Sequence, residues 1–151
     1  MSPSKRENSD ITHNKDVTVK LLILDNSAAV YGRLIELLGG IERLAALSIA
    51  RSLAELPEKL DQLQPNTIVL DVDLPDGRSL PHIEGIRARF PAARIYIFSN
   101  HHEFKSHAVA LGADAFFDKS LEFEQLIAQL LTDARRIRQI PQEESLYVAQ
   151  R

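Results

Sequence analysis

Four short apolar runs constrain this chain more than any other feature: KLLILD (20–25), TIVLD (67–71), RIYIFS (94–99) and AFF (115–117). None alternates apolar with polar residues, so none reads as a strand with one wet face. Runs of this length without alternation are strands covered on both faces, as in a parallel sheet. Such cover needs amphipathic helices between the runs.

The intervening segments supply them. Tyr31, Leu34, Ile35 and Leu38 share one helical face, which Gly39-Gly40 ends. Ser52 and Glu55 have capping-box spacing ahead of Leu56, Leu60 and Leu63, with Pro57 close to the first turn. Ile83, Ile86 and Phe90 lead to Pro91, and Phe104, Ala108 and Leu111 lead to Gly112. The last pattern runs through Phe123, Leu126, Ile127, Leu130, Leu131 and Ile137. Glu122 and Glu124 in its first turn and Arg135, Arg136 and Arg138 in its last complement the helix dipole. The segment IERLAALSIA (41–50) would suit a helix by propensity, but a strand at 44–49 completes the alternation. The expected fold is α/β, a doubly wound, flavodoxin-like (βα)5 unit with five parallel strands and five helices.

A chain of 151 residues with 44% hydrophobic content suits one domain with a full core. The expected division is a disordered arm over 1–17, one domain over 18–140 and a tail over 141–151. A net charge of −3 gives no electrostatic reason to expect nucleic acid as the main partner. Cysteine is absent, which excludes disulfides, thiolate catalysis and Cys-ligated zinc. The first residues lack the apolar core of a signal peptide and no later stretch could span a bilayer, so a cytoplasmic protein with no membrane partner is expected.

In a doubly wound sheet, sites form at the carboxyl ends of the strands, where Asp25, Asp71, Ser99 and Lys119 fall. Two acids, a hydroxyl and an amine placed there can hold a phosphoryl group and a metal ion. Plainer roles compete: Asp25, Asn26 and Ser27 are all residues that cap a helix. His101, His102 and His107 would lack a third ligand at a sensible spacing for zinc, and read as solvated histidines.

The segment LDVDLPDG (70–77), with Lys119 downstream in AFFDKS (115–120), carries a resemblance. From Lys20 to Ile140 the chain resembles a response-regulator receiver domain of two-component signalling. The resemblance implies Asp71 as the nucleophile that takes phosphate from a histidine kinase or histidine phosphotransfer protein, forming an acyl phosphate. It implies Mg2+ held by Asp25, the residue at position 26, Asp71 and the backbone carbonyl of Asp73. Ser99 would hydrogen-bond the phosphoryl group, Lys119 would offset its charge, and Pro75 and Gly77 would shape the loop beneath the site. Ser99 and Phe116 would form the switch, the ring entering from the surface of the fourth helix, fifth strand and fifth helix as Ser99 swings toward the phosphate. Output would pass from a stand-alone receiver through a downstream protein or a homodimer.

Three positions depart from that family's pattern. Asn26 replaces a carboxylate and brings an amide oxygen without charge. Ser120 stands where a proline with a cis bond is usual, so either a cis Lys119–Ser120 bond costing roughly 2.5–4 kcal/mol is held or the loop is rebuilt. Phe116 lacks a tyrosine's hydroxyl.

Rival functions remain. A pseudo-receiver adaptor that is never phosphorylated would fit Asn26 and Ser120. A haloacid-dehalogenase-like phosphatase would use Asp71, Asp73, Ser99 and Lys119, but needs an acidic cluster on a later strand, where Glu122, Glu124 and Asp133 belong to a helix. A flavodoxin-like flavin protein would need a Ser/Thr/Gly-rich phosphate loop, which Asn26-Ser27-Ala28-Ala29 is not.

Overall fold

Leu21, Leu22, Ile23 and Leu24 are consecutive, and none is more than 1% exposed, which requires cover on both faces of their strand. The computed structural model describes residues 18–41 and 44–135. The expected arm at 1–17, the tail at 141–151 and the positions of Arg136, Ile137 and Arg138 lie outside the described residues.

Five strands form the sheet: β1 (Val19–Leu24), β2 (Leu44–Ala50), β3 (Thr67–Leu70), β4 (Arg94–Ser99) and β5 (Ala115–Asp118). All pairs are parallel, in the order β2-β1-β3-β4-β5. The helices are α1 (Ala28–Leu38), α2 (Leu56–Leu63), α3 (Ile83–Arg89), α4 (Lys105–Ala110) and α5 over 123–135. Short 3-10 turns at Leu80–His82 and His102–Phe104 lead into α3 and α4. Alternate strand residues feed two cores. Leu22, Leu24, Ile68, Leu70, Ile95 and Ile97 pack with α2, α3 and α4, while Leu21, Ile23, Val69, Tyr96 and Phe98 pack with α1 and α5. Full burial of one such side chain stabilises the fold by roughly 1.5–3 kcal/mol.

Several local expectations are corrected. On α1, Leu34 and Leu38 are buried, but Ile35 is 41% exposed and lies outside the core stripe. Ser52 and Glu55 close a turn ahead of α2 rather than capping it as a box: the Glu55 amide donates to Ser52 Oγ at 3.3 Å, and Glu55 Oε1 accepts from the Arg51 amide at 3.0 Å. The helix then starts at Leu56, so Pro57 sits in the first turn, where its missing N–H costs nothing. After β3 comes an unforeseen antiparallel ribbon, Asp73–Leu74 with Gly77–Arg78. Gly77 turns it at φ +145°, and a Cβ there would meet Leu53 Cδ1 at 3.1 Å. Among the described residues no helix is long and apolar enough to cross a membrane.

Candidate functional site

The strand order reverses between β1 and β3, so their carboxyl ends face an open crevice. Leu24 is in register with Leu70, and the Asp71 amide donates to the Leu24 carbonyl at 2.9 Å, which sets Asp25 and Asp71 side by side. On the other flank Ser99 pairs with Asp118, and the Lys119 amide donates to the Ser99 carbonyl at 3.1 Å. The sheet brings four predicted residues to one rim.

Three of them are joined. Lys119 Nζ lies 2.8 Å from Asp25 Oδ2 and 2.7 Å from Asp71 Oδ2, with side-chain exposures of 11%, 3% and 13%. The remaining oxygens are aimed by the backbone: Asp25 Oδ1 accepts from the Ser27 amide and Asp71 Oδ1 from the Val72 amide. Ser27 also caps α1, its Oγ accepting from the Val30 amide, so the capping role lies with Ser27 and leaves Asp25 to the crevice.

Two acids share one ammonium, and their energetics follow. Burial raises the Asp25 carboxyl above the usual carboxylate range, outweighing the bonds from Lys119 and Ser27 that lower it, and Asp71 adds repulsion. For Lys119, burial alone would lower the ammonium, but Asp25 and Asp71 outweigh it and hold it above the ordinary lysine value. The net local charge is negative, and a further cation would relieve it.

The other predicted residues fall differently. Ser99 is fully buried and its Oγ accepts from the His101 amide at 3.1 Å. Asn26 is exposed beside Asp25. The Asp73 side chain points outward, to His101 Nε2 at 2.6 Å and Arg78 Nε at 3.3 Å. Phe116 is already buried, at 6% exposure, in the core beneath α4, with its ring 6.1 Å from that of His102. A phenyl ring without a hydroxyl has nothing polar to keep wet, so burial suits it.

The peptide bonds of the described residues contain no cis bond, so Lys119–Ser120 is trans and the loop is rebuilt. Asp118 does the rebuilding: its Oδ1 accepts from the amides of Ser120 and Leu121, both at 2.7 Å. Burial would raise the Asp118 carboxyl, but these amides and His102 hold it below the usual carboxylate range. Sequence reasoning gave Asp118 no role in the site, although an Asp two and three residues before turn amides is an Asx-turn signal. It also missed Ser79, buried behind the site, whose Oγ donates to the Asp71 carbonyl at 2.6 Å. Nothing local in the sequence marks Ser79 or His102. Glu124 and Asp133 lie on α5 rather than on a strand, and Asp133 accepts from the Tyr96 hydroxyl.

Residues 21–131 match the profile described as the response regulator receiver domain. The chain is 29% identical over 110 residues to the DNA-binding transcriptional activator DevR/DosR of Mycobacterium tuberculosis, covering 72% of this chain and 51% of that protein. It is 31% identical over 128 residues to the acid tolerance regulatory protein ActR of Sinorhizobium medicae, covering 80% of this chain and 65% of that protein. Both relatives are therefore longer than the chain that matches them. Among solved structures, the response regulator domain of Thermotoga maritima CheB superposes with a TM-score of 0.66 at 22% identity, over 82% of this chain and 98% of that one. Sheet order, strand-end acids and sequence profile agree, and the chain belongs to the response regulator receiver domain family.

Proposed function

We propose that this receiver accepts a phosphoryl group on Asp71 from a histidine kinase or histidine phosphotransfer protein and passes the signal on by protein contact. The observation that carries this is the single Lys119 ammonium set between two carboxylates at a crevice. One Asp71 carboxylate oxygen attacks phosphorus as the donor's P–N bond breaks, and the electron pair of that bond leaves with the imidazole. Lys119 stays protonated and faces the charge that the phosphoryl group brings to Asp71. Ser99 Oγ accepts a hydrogen bond from the His101 amide, which leaves its own O–H free to donate to a phosphoryl oxygen.

The donor set fits Mg2+. Asp25 and Asp71 offer hard oxygens side by side at the strand ends with one ammonium between them, and the Asn26 amide and Asp73 carbonyl complete the candidate ligands. Among the described residues no group of three or more acidic or His side chains is placed to hold a metal, so two protein carboxylates are the charged part of the set. That suits an ion that retains waters and takes oxygens from the substrate. When bound, it supplies charge to the phosphoryl oxygens.

The test is intact-mass spectrometry after treatment with acetyl phosphate and Mg2+. One added phosphoryl group is expected, lost in Asp71→Asn and suppressed by chelator. Unchanged labelling of Asp71→Asn would sink the assignment. An unlabelled parent would favour the pseudo-receiver, for which Asn26 in place of a charged ligand is the supporting feature.

A further inference from the structure

A lysine side chain loses much rotamer freedom when ordered, so holding Lys119 Nζ between two acids requires a fixed backbone beneath it. One side is fixed by the sheet, through the Lys119 amide and the Ser99 carbonyl at 3.1 Å. On the other side Leu121 is 77% exposed and gives the turn no anchor, and the first core contact comes only at Phe123. There the turn is closed around one residue. Asp118 Oδ1 accepts from the Ser120 and Leu121 amides, its carbonyl accepts from the Glu122 amide at 2.8 Å, and its own amide donates to Glu122 Oε1 at 2.9 Å.

Asp118 also reaches the neighbouring loop. Its Oδ2 pairs with His102 Nε2, and Ser120 Oγ donates to Asn100 Oδ1 at 2.8 Å. Asn100 and His102 follow Ser99, so the turn that carries Lys119 is tied to the loop that carries the hydroxyl.

We propose that Asp118 is the positioning residue of this site: its carboxylate oxygen folds the turn after Lys119 so that the ammonium meets Asp25 and Asp71, and its second oxygen ties that aim to the loop after Ser99. The proposal rests on the reading of Asp71 as acceptor. It differs from a capping role for α5, which would affect stability and leave the ammonium in place.

Two readouts on the full chain separate these roles: the 1H–15N signal of the Lys119 ammonium, assigned by its loss in Lys119→Met, and the rate of labelling by acetyl phosphate. In Asp118→Ala the protected ammonium signal is expected to vanish and labelling to slow by about tenfold or more, as misplacement of a charge-stabilising group by an ångström does. Asp118→Asn keeps the oxygen that grips the amides, and its amide can donate to a neutral His102, so the signal is expected to survive and labelling to stay within roughly threefold of the parent. A folded Asp118→Ala that keeps signal and rate overturns the proposal, as does an Asp118→Asn that behaves like it. Should Asp118→Ala fail to fold, Asp118→Glu moves the oxygen one methylene outward while keeping the charge. The same loss of the Lys119 signal is expected, and its retention overturns the proposal. A parent that takes up no label defeats the acceptor reading alone, and the ammonium signal then decides the role of Asp118.

Discussion

At the amino ends of the strands, loops are tied mainly by an asparagine and an arginine that donate to main-chain carbonyls, whereas at the carboxyl ends a lysine and two histidines contact carboxylates. Asn66 Nδ2 donates to the Thr18 carbonyl at 2.6 Å while its Oδ1 accepts from the Lys20 amide at 3.0 Å. Arg87 donates to the Gly112 carbonyl at 3.0 and 2.8 Å, to Ala93 at 2.6 Å and to Pro91 at 3.1 Å, and pairs with Asp114 at 2.7 Å. Gly112, at φ +122°, lies so close to Arg87 that a Cβ would meet its side chain at 3.2 Å. Carbonyls cannot titrate or leave with a ligand, so most of the ties at that end are fixed, the Asp114 carboxylate being the exception. At the other rim, Lys119 lies between Asp25 and Asp71, His101 contacts Asp73 and His102 contacts Asp118, so the side chains that meet there are titratable ones rather than main-chain carbonyls. The same sheet thus has one end tied mostly through groups that cannot titrate and one tied through groups that can.

The contrast breaks first at Arg87. Arg87→Ala strips a bidentate cation from several half-buried carbonyls and from Asp114, so a loss of about 2–4 kcal/mol is expected in urea unfolding. Labelling of the folded fraction by acetyl phosphate should remain at the parent's rate, since Arg87 lies at the far end of the strands. A variant that loses labelling without losing stability would show that the two ends are not independent.

The middle-sized effect is at Asn26. Charge count at a hard-cation site tunes affinity, so Asn26→Asp should tighten Mg2+ about tenfold, or roughly 1.4 kcal/mol, in a calorimetric titration. In chelator the same variant should be less stable than the parent, because a third carboxylate joins two that already share one ammonium. Identical titrations would place position 26 outside the coordination shell.

The sheet was legible because its strands are buried on both faces, which removes polar residues from the runs themselves, and because the site residues sit where those runs stop. Strand β2 was placed at 44–49 from the alternation and runs over Leu44–Ala50. What was not legible depends on contacts between loops distant in sequence. The Lys119–Ser120 bond was open to a cis form until the grip of Asp118 on two amides showed how a trans turn aims the lysine. The resemblance implies a Phe116 ring that moves between surface and interior, and the ring lies in the core cluster that includes Ile95, Ile97 and Ala108, where an apolar side chain gains by burial. Ile35 satisfied the helical period and still lies outside the core, since period fixes a face but not its width.

The smallest expected effect tests the titratable end most directly. The folded Asp25 carboxyl lies above its unfolded value, chiefly through burial, so the folded chain binds that proton more tightly than the unfolded one. The contribution of Asp25 to stability is therefore complete below its unfolded pKa and is lost as pH rises through the folded value. At neutral pH without metal, Asp25 therefore contributes less than it does in acid, and Asp25→Asn, which keeps an oxygen for the Ser27 amide, is expected to be modestly more stable than the parent. The gap should close as pH falls through the folded value, because the parent then carries a neutral group too. Lys119 does not disturb this window, since its raised ammonium keeps its contribution below the usual lysine range and loses it only at alkaline pH. Magnesium should reverse the order at neutral pH: a bound cation favours the carboxylate, so the parent gains stability from it while Asp25→Asn gains little. Urea unfolding of both proteins in chelator and in magnesium, at neutral and acid pH, measures all four differences. A parent that is the more stable protein in chelator at neutral pH would mean that the ammonium of Lys119 already satisfies Asp25 in full, and that this rim is as permanent as the one held by Arg87.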